Sequence, residues 1–194
     1  MSIRIDRIVT RGGDGGQTSL GDGTRVDKSS ARIEALGAVD EANATIGVLR
    51  LHLSPTSPDE ACLARMQSLL FDIGGMLCVP ENGTPDTEAL IDGFQGGDEA
   101  VAFIEEATER LRVRQEPLRS FVLPAGSAGA AHAHLARTVV RRAERRVVAL
   151  RQEDTVSPSL LRCLNRLSDY LFVLARHLND DGRGDVLWQP NKGP

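Results

Sequence analysis

Five stretches of this chain repeat apolar residues every three or four positions, and that period restricts them to helices that bury one stripe each. In 31–53 the stripe is Ile33, Leu36, Val39, Asn43, Ile46 and Leu49, and in 59–77 it is Leu63, Met66, Leu70 and Ile73. Val101, Ile104, Thr108 and Leu111 mark 98–116. Ala131, Leu135, Val139, Ala143, Val147 and Leu150 mark 129–153, and Leu161, Leu164, Ser168, Leu171, Ala175 and Leu178 mark the last helix, which runs to 179. Pro55 and Pro58 separate the first two stretches, Gly74-Gly75 loosens the end of the second, Pro117 stops the third, and Ser157-Pro158 caps the fifth. Only 4% of the residues are aromatic, so the core is built from Leu, Val, Ile and Ala, which favours packed helices over a sheet. The expected fold is all-α: a five-helix bundle, four long core helices plus one, with a long ordered N-terminal loop. A single domain would cover 1–194, with the loop at 1–31, a surface loop at 80–97 turning briefly near 88–91, and a tail at 180–194.

The net charge of -4 argues against a nucleic-acid binder, since phosphate-backbone binding needs a dominant basic field. Cys62, Cys78 and Cys163 form no CxxC pair, so they read as buried free thiols of a reducing compartment. The N-terminus lacks an apolar leader and no run approaches membrane-spanning length, so the expectation is a cytoplasmic protein with no membrane partner.

Against that acidic background, the fourth helix concentrates positive charge. Arg137, Arg141, Glu144 and Arg145 share a face, with Arg142 and Arg146 beside them. Guanidiniums crowded in this way either lie in solvent and pair with acids such as Asp40 and Asp169, or surround a polyphosphate. The segment Thr10-Arg11-Gly12-Gly13-Asp14-Gly15-Gly16-Gln17-Thr18 can turn several amides toward one anion, although it lacks the Gly-Lys-Ser/Thr ending of a Walker loop. Arg25 and Lys28 add cations just beyond it, and a plain turn is the alternative. Asn43 and Asn165 interrupt apolar stripes, where an amide is costly unless bonded, and together they suggest a lined cavity. His132 and His134 lack the partners of a di-iron bundle site, and Trp188 sits in a polar tail that should fold back on the bundle or on a neighbour.

Taken in order, the stretches 10–18, 25–28, 37–43, 121–124, 136–145 and 164–172 make the chain similar to the PduO-type ATP:cob(I)alamin adenosyltransferases over nearly its whole length. The resemblance implies a homotrimer with ATP and cob(I)alamin bound between subunits and Mg2+ on the triphosphate. It assigns Thr10, Arg11, Gly12, Gly13, Asp14, Gly16, Thr18 and Lys28 to the ATP loop. Arg137, Arg141, Glu144 and Asn165 fall to the nucleotide site of the partner helices, with Asp14 and Glu144 as magnesium contacts. Asp40 would meet Arg137 across the interface, and Phe121 would close the lower face of the corrin and displace its axial base. The chain departs from the family pattern at Ala125, where a glycine is more usual. The implied reaction transfers the 5'-deoxyadenosyl group of ATP to Co(I), releasing triphosphate. A corrinoid reductase and a cobalamin-dependent mutase or dehydratase are its implied partners. The alternative is a non-catalytic helical module that carries or senses ATP or corrinoid.

Overall fold

The computed structural model describes residues 9, 11–80 and 97–190. The expected turn near 88–91, most of the 80–97 loop and Thr10 therefore lie outside the described residues. Five helices carry the fold: α1 (Ala31–Arg50), α2 (Pro58–Cys78), α3 (Asp98–Arg112), α4 (Ala128–Leu150) and α5 (Pro158–Leu178). Ser57 and Ser127 start α2 and α4 with hydroxyls that accept from the Glu60 and Ala130 amides. Ser157 holds the same position before α5 but makes no such bond; its hydroxyl turns to that of Ser159, and Pro158 at the first turn sets the start instead.

α4 lies against both α1 and α5, α1 also packs on α2, and α3 packs on α5. Fully buried Ala35 and Ala42 of α1 and Ala133, Ala136 and Ala143 of α4 keep side chains short in the core, so the helices can approach closely. Met66, Leu70, Ile73, Ile104 and Leu167 line a central gap of only about 10 Å³, too small for more than one water. The periodicity identifies the helices better than it identifies every inward residue. Leu135 is 52% exposed, and Ile33, Leu36, Asn43, Thr108, Ala131, Leu161 and Leu178 are half-buried, so these positions lie at the margins of the packed faces rather than at their centres. α2 runs unbroken through Gly74-Gly75 to Cys78, its backbone carried by the i to i−4 ladder and its inner face by Leu70, Ile73 and Leu77. At 21 residues, with an 18-residue stretch of mean hydropathy 1.2, α2 is by length and composition apolar enough to cross a membrane; here its inner face, from Cys62 to Leu77, belongs to the bundle core.

The N-terminal loop is not wholly irregular. Gln17–Ser19 (β1) and Arg25–Asp27 (β2) pair antiparallel, with Thr18 opposite Val26. Asp22 makes the turn by accepting from the Thr24 amide and hydroxyl, both at 2.9 Å. The hairpin is fastened to the end of α2, where the Gly21 amide donates to the Cys78 carbonyl at 2.9 Å. Any Cβ at Gly21 would lie 2.9 Å from a Val79 methyl, so only glycine admits this approach. Strands this short have too little apolar alternation to stand out in a sequence.

Candidate active site

Along α4, the arginines divide into two groups. Arg142 pairs with Glu41 at 2.5 Å and Arg146 with Glu34 at 3.7 Å, so these two tie α4 to α1. The acids expected in this role, Asp40 and Asp169, do not take it: Asp169 faces Arg166 of its own helix, and Asp40 makes no ion pair among the described residues. Arg137, Arg141 and Arg145 likewise make none there, and the half-buried Arg137 leaves its Nε without a hydrogen-bond acceptor. Burial, and next the charge of Arg141, push the Arg137 guanidinium below the usual arginine range. A half-buried guanidinium that is repelled by its neighbour and pairs with no carboxylate among the described residues is placed to receive an anion.

Glu144 does not neutralise them. It accepts a hydrogen bond at 3.1 Å from the Asn165 amide of α5, and Asn165 in turn accepts from Arg166 at 2.9 Å. Asn43 lies on another seam, donating to the Gln67 carbonyl while Gln67 returns a bond to its own carbonyl, an interlock of α1 with α2. The two asparagines thus line different helix pairs rather than one cavity within the chain. Asn43 and Asp40 instead border an open groove of about 400 Å³ between α1 and α2, otherwise apolar through Leu36, Val39, Leu70 and Phe71.

The glycine segment folds as consecutive turns, with Asp14 N bonded to Arg11 O and Gly16 N to Gly13 O. Arg11 (φ 60°) and Gly16 (φ 84°) adopt left-handed backbone at its two ends, and the Lys28 amide closes its base on Gly16 O at 2.9 Å. Arg25 braces it by donating to the Gly12 carbonyl at 2.8 Å. The Lys28 ammonium lies over Gly13, 3.0 Å from where a Cβ would stand. Arg11, Gly12, Gly13, Asp14, Gly16 and Lys28 are thus gathered in one loop, and Thr18 sits in the strand behind it. No hydrogen bond or ion pair joins residues 11–28 to Arg137, Arg141 or Arg145 among the described residues. No cluster of three or more His, Cys, Asp or Glu side chains that could hold a metal occurs among those residues.

Phe121 stands 78% exposed on the loop before α4. Ala125, the departure from the family pattern, needs no glycine: its backbone lies outside the left-handed region, whereas Gly126 (φ 106°) carries the turn and packs against Asn179. The tail folds back here as expected of Trp188, whose amide donates to the Phe121 carbonyl at 2.8 Å. His134, which showed no metal partners in the sequence, is buried one turn before Arg137 with both ring nitrogens unpaired and its ring against Phe172. Nothing in the periodicity distinguishes that histidine from a surface one. Cys62 and Cys163 are buried thiols outside any disulfide, the latter pushed by burial to about 11, and Cys78 is half-buried.

An arginine face that no ion pair neutralises among the described residues, on a bundle that also carries a turn-rich glycine loop, suits a polyphosphate ester, and relatives narrow the class. The family model described as cobalamin adenosyltransferase matches residues 8–178, and the chain belongs to that family. It is 44% identical over 192 residues to a cobalamin adenosyltransferase of Cupriavidus metallidurans, covering 97% of each chain. A corrinoid adenosyltransferase of Bacillus subtilis is 41% identical, over 94% of this chain and 92% of its own. Among solved structures, a phenylalanine-to-histidine variant of the PduO-type ATP:corrinoid adenosyltransferase from Lactobacillus reuteri, complexed with cobalamin and ATP, superposes with TM-score 0.86 at 31% identity. That match covers 95% of this chain and 97% of the other. An arginine-to-lysine variant of the same protein, complexed with ATP, superposes at 0.83 with 32% identity, over 94% and 100% of the two chains.

Proposed function

We propose that this chain, acting as one adenosyltransferase domain, transfers the 5'-deoxyadenosyl group of ATP to Co(I) of a reduced corrinoid, and that it does so between the subunits of a homotrimer. The observation that carries the reading is the separation of two incomplete halves. Arg137, Arg141 and Arg145 on α4 pair with no carboxylate among the described residues, and the 11–28 loop with Lys28 offers amides and a cation with no recorded bond to them there. A second copy that brings its loop to this arginine face completes a cradle neither copy has alone.

The reaction forms a cobalt–carbon bond as the bond between the 5' carbon and the triphosphate oxygen breaks. Co(I) is itself the nucleophile, so no activated protein side chain is needed. The chain's work is to hold the 5' carbon in line and to receive the negative charge that builds on the leaving triphosphate. Arg137 and Arg141 supply fixed guanidiniums for that charge, while Gly13, Gly16 and Lys28 hold the far phosphates. Glu144 and Asn165, already bonded to each other, keep the α4–α5 edge of the nucleotide pocket in place. Asp40, which makes no ion pair among the described residues, is the natural acceptor for Arg137 of the next subunit.

Magnesium fits this donor set as a metal carried by the triphosphate. It takes one or two carboxylates alongside phosphate oxygens, and Asp14 in the loop or Glu144 can serve. Bound there, it would neutralise phosphate charge. Thr10, Arg11, Gly12 and Thr18 complete the ATP loop, and Phe121 forms the wall at the lower face of the corrin. A cytoplasmic reductase that delivers Co(I), and a mutase or dehydratase that takes up the product, are the partners this chemistry calls for.

The test is direct. Mixing the protein with reduced cobalamin, ATP and magnesium should convert the Co(I) spectrum to that of an alkylcobalamin, with one triphosphate released per adenosyl transferred. Binding of both substrates without that spectral change would leave a carrier or sensor in its place.

A further inference from the structure

Two large aromatic side chains stand in solvent side by side at one end of the bundle: Phe121 is 78% and Trp188 is 45% exposed. Their rings meet edge to face with centroids 6.2 Å apart and planes at 72°. The backbone is registered as closely as the rings. Val122 and Leu187 form an antiparallel bridge, Leu123 N donates to Val186 O, and Trp188 N donates to Phe121 O, the last two at 2.8 Å. The Ser120 hydroxyl adds a bond to the Trp188 carbonyl at 2.9 Å.

This registration is built on a buried root. Arg176, at the end of α5, donates from Nε to Asp185 at 2.8 Å, with the two side chains only 10% and 2% exposed. The same guanidinium reaches the Glu116 carbonyl at 3.1 Å, so it grips both the tail and the segment leading to Phe121. Asn179 spans the same two segments, accepting from the Ser127 amide and donating to the Ala125 carbonyl and to Asp185. The tail and the Phe121 loop are therefore held in one register by a single bridge and its flanking bonds. A lone phenylalanine on a solvent loop would move among rotamers; one flanked by a fixed indole has lost much of that freedom.

We propose that Trp188 is a positioning residue for adenosyl transfer, holding the Phe121 ring where it excludes the lower axial base of the corrin. This rests on the reading of Phe121 as the corrin-side wall. A ring that must displace a ligand has to be held against the ligand's return, and Trp188 is the only aromatic side chain recorded in contact with it among the described residues.

The experiment uses the full-length enzyme at saturating ATP with two Co(II) corrinoids under a common chemical reductant, one bearing a lower axial base and one lacking it. Trp188→Ala should lower kcat about tenfold on the base-bearing corrinoid, the most that an aromatic pair supplies, and by less than about twofold on the base-free one. Its KM for ATP should stay at the wild-type value, and Trp188→Phe should restore most of the rate. A Trp188→Ala enzyme that matches the wild type on the base-bearing corrinoid, or loses equally on both, overturns the proposal. Phe121→Ala is run in parallel. If it too fails to distinguish the corrinoids, the reading of Phe121 falls and this proposal with it; if it discriminates while Trp188→Ala does not, only the role of Trp188 is lost.

Discussion

His134 carries its cost in the acid range. Its ring is 1% exposed and neither nitrogen finds a partner, so burial, then the charge of Arg137, push the imidazole below the usual histidine range, with Asp185 acting weakly the other way. The unfolded chain takes up a proton near pH 6.5 while the folded chain resists it, so stability is complete above that pH and is lost as the pH falls through it. A leucine here fills similar volume and has nothing to protonate. His134→Leu should leave the thermal midpoint at neutral pH unchanged or slightly higher, and should flatten its decline between about pH 7 and 5. Melting curves at several pH values decide it, and an acid limb as steep as the wild type's would mean that another group carries the transition. Asp181, held below the usual carboxylate range chiefly by its 2.5 Å bond to His177, loses its contribution only at lower pH, as the pH falls through its own depressed value.

The elements differ in how far the chain announces them. Helices α1 to α5 were readable because Leu, Val and Ala recur at a period no other structure satisfies, and the caps at Ser57 and Ser127 confirm where they begin. The hairpin was not, since Gln17–Ser19 and Arg25–Asp27 are largely polar, and the pairing depends on Gly21 docking at Cys78, a contact between segments far apart in sequence. Site residues follow the same division. The arginine face is local to one helix and could be read from spacing, but the sorting of Arg142 and Arg146 into pairs with Glu41 and Glu34 depends on how α1 packs. The loop's own chemistry can be isolated at Gly13, whose missing Cβ leaves room for the Lys28 ammonium. Gly13→Ala should push that ammonium aside with no strain on the backbone, raising the KM for ATP about tenfold, the low end for loss of one charged hydrogen bond, while the melting temperature stays within about 2 °C. A lower melting temperature with an unaltered KM would place the role of Gly13 in folding instead.

At the scale of the molecule, the question is why a chain with a well-filled core leaves the groups proposed for its site so exposed. The charged faces of α4 and the loop are not needed to close the bundle: the central gap is about 10 Å³ and the core is continuous from α1 to α5. Their exposure makes sense if assembly supplies the missing half of each site, and that has a consequence for mixed oligomers. Lys28→Ala removes a cation from the loop half, and Arg141→Ala removes one from the helix half; each side chain is exposed and makes no ion pair among the described residues, so both variants should fold and each alone should be nearly inactive. Refolded together in equal amounts, they should form the proposed trimers, in which a site would join the loop of one subunit to the α4 of the next. About one site in four then combines an intact loop with an intact helix, and turnover should recover to roughly a quarter of the wild-type value. Were loop and helix of one chain to serve the same site, every site would carry one lesion and the mixture would stay as inactive as its components. Measuring the rate against the mixing ratio sharpens the distinction, because shared sites predict a maximum at equal amounts and a fall to zero at either end.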